Sequence, residues 1–82
     1  MILYVCSGYD AAREMQVAFD AQGLPFHAIA AGDRAGLRAV SGLTGAVVAP
    51  GADRLIPVER LAVYLEAYVK PLLPAGRYPL WL

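Results

Sequence analysis

Cys6, Ser7 and Tyr9 crowd the point where an apolar run, Ile2-Leu3-Tyr4-Val5-Cys6, gives way to Gly8 and then to Tyr9-Asp10-Ala11-Ala12-Arg13. A short, nearly continuous apolar run is the pattern of a strand covered on both faces, and the residues after Gly8 open a helix. The first N–H groups of a helix are unpaired and its dipole is positive there, so a thiolate or another anion is favoured at such a turn. Cys6 therefore has two readings. It is a nucleophilic or redox thiol made more acidic by the helix end, or a small hydrophobe buried at a strand end, as free cysteine usually is. Asp10 disfavours a thiolate. Ser7 is a second candidate for catalysis, or else the helix cap, with Asp10 as a weak capping-box partner three residues on. Tyr9 is the third candidate, or an exposed turn tyrosine. Arg13 is free to bind a ligand or to pair with Asp10 on the helix surface. Cys6 is the only cysteine and His27 the only histidine. No internal disulfide is available, and we expect no metal site.

The elements that must position these residues follow in order. Ala11, Ala12, Met15, Ala18 and Phe19 make one helical stripe, and Gly23 ends the helix just past Gln22. Pro25 to Ala30 reads as the second strand, parallel to the first because a helix crosses between them. Asp33 caps a short helix that turns Leu37 and Val40 inward and stops at Ser41-Gly42. Ala46 to Ala49 is the third strand. Pro50-Gly51 is a turn signal, and Arg54-Leu55-Ile56 is expected to return as a short antiparallel fourth strand. Pro57 opens the last helix, whose buried stripe is Val58, Leu61, Ala62, Leu65, Tyr68 and Val69, and Pro71 ends it.

The stretches Leu3-Tyr4, Gly8 to Arg13 and Gly23-Leu24-Pro25-Phe26 resemble glutaredoxins and the N-terminal domain of glutathione transferases, and Leu55 to Leu65 is similar to the last strand and helix of the transferase domain. The resemblance covers nearly the whole chain. It implies an α/β, thioredoxin-like fold of order β-α-β-α-β-β-α: a four-stranded mixed sheet with helices on both faces over residues 1–71, and an apolar, proline-containing tail over 72–82. It also implies that the Tyr9 hydroxyl could donate to a glutathione thiolate and that Arg13 matches an arginine of the family's helix. The departures fall on functional positions. Tyr9 and Ala12 stand where glutaredoxins carry their two cysteines, Ala46 stands where the family has a proline that is normally cis, and Pro57-Val58 stand where transferases hold glutathione with Glu-Ser. Glutathione, if held, is therefore expected to be held weakly. Val5-Cys6-Ser7-Gly8 with Arg13 faintly resembles the phosphate loop of low-molecular-weight phosphatases, but six residues separate Cys6 from Arg13, one too many.

Hydrophobic residues make up 59% of the 82 residues and charged ones 17%, which is more apolar surface than one small domain hides comfortably. Leu72, Leu73, Tyr78, Leu80, Trp81 and Leu82 concentrate that excess in the tail. We expect the tail to be ordered and to bury Trp81 with Leu80 or Leu82, on its own domain or on a second copy. Leu80, Trp81 and Leu82 are thus the candidate interface for a homo-oligomer or a protein partner. Formal net charge is zero with no basic stripe, so nucleic acid is not an expected partner. No signal-like or membrane-spanning segment is expected, and the single thiol fits a cytoplasmic protein. The expected role is a binding or interaction module that has lost dithiol chemistry and self-associates. The alternative is a glutathione-dependent transferase or a glutaredoxin-like thiol oxidoreductase using the first turn.

Overall fold

The computed structural model describes residues 1–82. Its elements are β1 (Ile2–Cys6), α1 (Tyr9–Ala21), β2 (Phe26–Ala30), α2 (Arg34–Arg38), β3 (Gly45–Val48), α3 (Val58–Tyr64) and β4 (Leu80–Trp81). The strands form one sheet in the order β2-β1-β3-β4, and every neighbouring pair is parallel. This overturns the mixed, thioredoxin-like sheet expected from the sequence. Each of the first three strands is followed by a helical crossover, and the strand order reverses between β1 and β3, as in doubly wound parallel sheets.

The error lies in which apolar triplet pairs with β3. Pro50-Gly51 does form a tight turn: the Ala52 N–H donates to the Ala49 carbonyl at 3.1 Å, and Gly51 takes the positive φ of 80° that a side chain would resist. The chain does not return as a strand, however. Arg54, Leu55 and Ile56 form bends over the end of the sheet, with Leu55 70% exposed. Leu80–Trp81 takes the place beside β3 instead, Val47 opposite Leu80 and Val48 opposite Trp81. The Leu82 N–H donates to the Val48 carbonyl at 3.0 Å. The whole of α3 lies between these two strands in sequence, so the pair can run parallel; a turn at Pro50-Gly51 would have forced it antiparallel.

Because β1 is paired on both edges, its side chains alternate between two covered faces. Leu3 and Val5 join Ile29, Val48, Leu61 and Val69 in the main core beneath α2 and α3. On the other face Phe19 of α1 meets Tyr4 edge-on at 5.2 Å and Phe26 at 5.0 Å. No polar or charged residue is buried.

Two features depart from simple helix and sheet geometry. The chain after α3 opens into a π-helical turn, Leu65–Val69, in which the Lys70 N–H bonds the Leu65 carbonyl, and then a 3-10 turn, Lys70–Leu72. Pro71 explains the loosening, since it donates no N–H and its ring crowds the carbonyl four residues back. The wider turn buries Leu65 and Val69 and leaves Tyr68 exposed; before it, α3 buries Leu61 and Tyr64 and exposes Val58 and Ala62, against expectation. The second feature is Gln16. Its amide Oε1 accepts from the Ala28 N–H at 2.8 Å and its Nε2 donates to the Phe26 carbonyl at 3.1 Å. One side chain thus satisfies the open edge of β2 as a neighbouring strand would. Gln16→Ala is expected to lower stability by about 1–2 kcal/mol, at roughly 1 kcal/mol per lost bond. Amide exchange should report the loss first at Ala28.

Candidate functional site

The turn between β1 and α1 is not the cluster that its residue types suggest. Cys6 ends β1 on the face covered by α1, 2% exposed, with its Sγ 3.8 Å from the Tyr4 carbonyl oxygen. Burial pushes the thiol pKa up, the opposite of what a nucleophile needs. Ser7 is half-buried and does not cap α1. The cap is Gly8, in extended conformation, with no side-chain bond to the helix. The Arg54–Ile56 bends fold down over this turn: a Cβ at Gly8 would lie 2.9 Å from Leu55 Cδ1, the end of an exposed side chain that can swing aside. Tyr9 begins α1 and is 67% exposed. Arg13 meets Asp10 at 3.8 Å with both side chains in solvent, a pair of little energetic weight.

The parallel register separates Cys6 from His27. Cys6 pairs with Ala30, and His27 with Leu3. Odd and even positions of β1 face opposite ways, so the thiol and the imidazole lie on different faces of the sheet as well as at different heights. No group of three or more His, Cys, Asp or Glu side chains gathers as a metal site would need. No helix is long and apolar enough to cross a membrane.

What the fold does bring together is the β2–α2 loop and the outer face of α3. Asp33 caps α2 by accepting from the Gly36 N–H at 2.9 Å, and its own carbonyl accepts from the Tyr64 hydroxyl at 2.9 Å. Burial first, then the Asp33 carboxylate and the Tyr9 hydroxyl, push the Tyr64 pKa far up, so this tether stays protonated. Beside it lies an open groove of about 660 Å³. Ile56, Val63, Tyr64 and Tyr68 give it apolar walls, and Arg34, Arg60 and Glu59 bring charge to it. The Arg34 guanidinium stacks 4.2 Å from the centre of the Tyr68 ring.

No protein family, curated protein or solved structure compared with this chain matches it. The functional reading therefore rests on the geometry. Sequence reasoning missed the groove. The available signal was Arg60, Tyr64 and Tyr68 at four-residue spacing on one helix, but Arg34 arrives from another element and only the tertiary fold adds it.

Two groups held protonated set a pH dependence. In the unfolded chain a thiol and a phenol ionise in their ordinary ranges, whereas folded Cys6 and Tyr64 resist. Their stability contribution is therefore complete below the unfolded values and is lost as pH rises towards the raised folded ones. Thermal melts are expected to be flat near neutrality and to fall above about pH 8.5, the ordinary thiol range. Cys6→Ala should remove the thiol's share of that fall. A thiol reagent should label Cys6 only at the rate of unfolding.

Proposed function

We propose that the protein is a binding module that pairs with a second copy of itself through β4. One contrast carries the reading: on the β2 edge of the sheet Gln16 occupies the Ala28 N–H and the Phe26 carbonyl, and no side chain bonds the backbone of the β4 edge in this way. In a parallel ladder alternate residues direct both backbone groups to the same neighbour. The Leu82 N–H points to β3, so the Trp81 N–H and carbonyl point the other way, off the sheet. An edge of this kind is a template for another strand.

The side chains on that edge agree with its backbone. Leu80 is 65% exposed, Trp81 52% and Leu82 67%. The tail runs along its own domain and leaves Trp81 and both leucines largely exposed there; of the two expected placements, the one on a second copy is the one this reading takes. Two β4 strands set antiparallel about a two-fold axis would place Trp81 opposite Trp81 as a pair exchanging both N–H···O bonds. The same patch then serves on both copies, which is the requirement of a closed, isologous dimer. Tryptophan is well suited to such a centre because it contributes large area at little entropic cost. Glutathione belongs to this reading only as a weak ligand of the exposed Tyr9 and Arg13; a chemical-shift titration should give affinity no tighter than about millimolar, as the missing charge-assisted bonds imply.

Trp81 is the only tryptophan, so its fluorescence reads the interface directly. Sedimentation equilibrium should show a monomer–dimer equilibrium, with Trp81 emission shifting to the blue as concentration rises and the melting temperature rising with it. Leu80→Lys should give a folded monomer whose emission no longer depends on concentration. A wild-type chain that stays monomeric at millimolar concentration, with unchanged emission, would reject the reading.

A further inference from the structure

We infer that the groove between the β2–α2 loop and α3 binds a small aromatic anion, its carboxylate or phosphate taken by Arg34 and Arg60 and its ring lying along Ile56, Val63 and Tyr64. This site is separate from the β4 edge and does not depend on dimer formation.

Size comes first. At about 660 Å³ the groove falls in the range of small-molecule sites, roughly 300–1,000 Å³. The other hollows of the surface are about 250 Å³ or smaller. Its walls are those of a ligand site too: aliphatic and aromatic side chains with a few polar groups brought in from separate elements.

The charge in the groove is uncommitted. The chain holds two ion pairs, Arg13 with Asp10 and Lys70 with Glu66, and neither includes Arg34 or Arg60. No side-chain hydrogen bond of either arginine is present in the fold. Two arginines face one carboxylate, Glu59, which leaves the groove with one net positive charge. That is suited to a ligand with one anionic end.

Arg34 is also held for the task. Its Cζ lies over the Tyr68 ring, 4.2 Å from the ring centre, which seats the guanidinium on the aromatic face. A stacked guanidinium keeps its in-plane N–H fork free, and that fork matches the oxygens of a carboxylate or phosphate two at a time. The ring it rests on comes from the π-helical turn, Leu65–Val69, which turns Tyr68 outwards. Tyr64 offers a ring wall and no free hydroxyl, since its O–H is engaged by the Asp33 carbonyl. Recognition is thus an apolar slot with charge at the rim, which selects a flat body bearing an anion over either part alone.

The test is an NMR titration of the full chain with naphthoate, naphthyl phosphate, neutral naphthamide, and acetate as an anion without a ring. Naphthoate and naphthyl phosphate should shift the amides of Arg34, Arg60 and Val63, and the tighter of the two names the headgroup. Naphthamide and acetate should each bind at least about tenfold more weakly, the loss expected for a missing charge-assisted bond or a missing ring. Arg34→Gln should weaken naphthoate about tenfold, and Arg34→Lys should recover only part of that, because the charge returns without the fork. Arg60→Gln, which leaves the Tyr68 stack untouched, is the second variant, and Arg13→Gln is the control with no expected effect. Equal affinity for naphthoate and naphthamide, shifts elsewhere on the surface, or equal behaviour of the Arg34, Arg60 and Arg13 variants would overturn the inference.

Discussion

A strand hydrogen-bonded in parallel on both edges has no face to spare for water, and β1 is such a strand. It pairs with β2 from Ile2 to Cys6 and with β3 from Ile2 to Val5. Parallel neighbours must be joined by crossovers, and crossovers bring helices to the faces of the sheet. The positions of α1, α2 and α3 follow from this requirement. So does the fate of Cys6: as the last residue of the strand it points into the α1 layer, where Ala12 and Phe19 are also buried. A thiol placed there is packing material, and its raised pKa is a consequence of the strand pairing.

Half of this was legible in the sequence. The apolar run of β1, the first helix with Ala12 and Phe19 buried, the strand after Pro25 and the Asp33 cap stand where local pattern puts them, because each depends on neighbours within a few residues; Ala18 of the expected stripe is exposed. The choice between Arg54–Ile56 and Leu80–Trp81 as partner of β3 was not legible. Both are short and apolar, and no local signal separates them; the decision lies in how α3 carries the chain across the sheet. The mixed sheet implied by the glutaredoxin-like and transferase-like stretches failed for the same reason, since they match local turns that parallel and mixed sheets share.

The site was less legible than the fold. Residue chemistry pointed to Cys6, Ser7 and Tyr9, adjacent in sequence, yet the strand buries the first, leaves the second without a capping bond and exposes the third. The groove draws on residues far apart in the chain, Arg34 on α2 and Arg60 on α3. Tyr68 reaches it through a π-helical turn and shares the four-residue spacing of Arg60 and Tyr64, but the expected stripe placed it in the core. Pro71 was visible and correctly marked the end of the helix, but its effect on the turn before it was not drawn out.

Gln16 has a consequence for the form that assembly can take. A sheet with one available edge stops growing once two copies meet, because each partner presents a closed edge to the outside. A sheet with two available edges has no such stopping point and adds copies head to tail into a filament. In the proposed dimer, the amide that imitates a strand at Ala28 and Phe26 would be what keeps association finite. A carboxylate in its place would keep the bond from the Ala28 N–H but would set an oxygen against the Phe26 carbonyl, so the amide donor is what holds the second half of the cover.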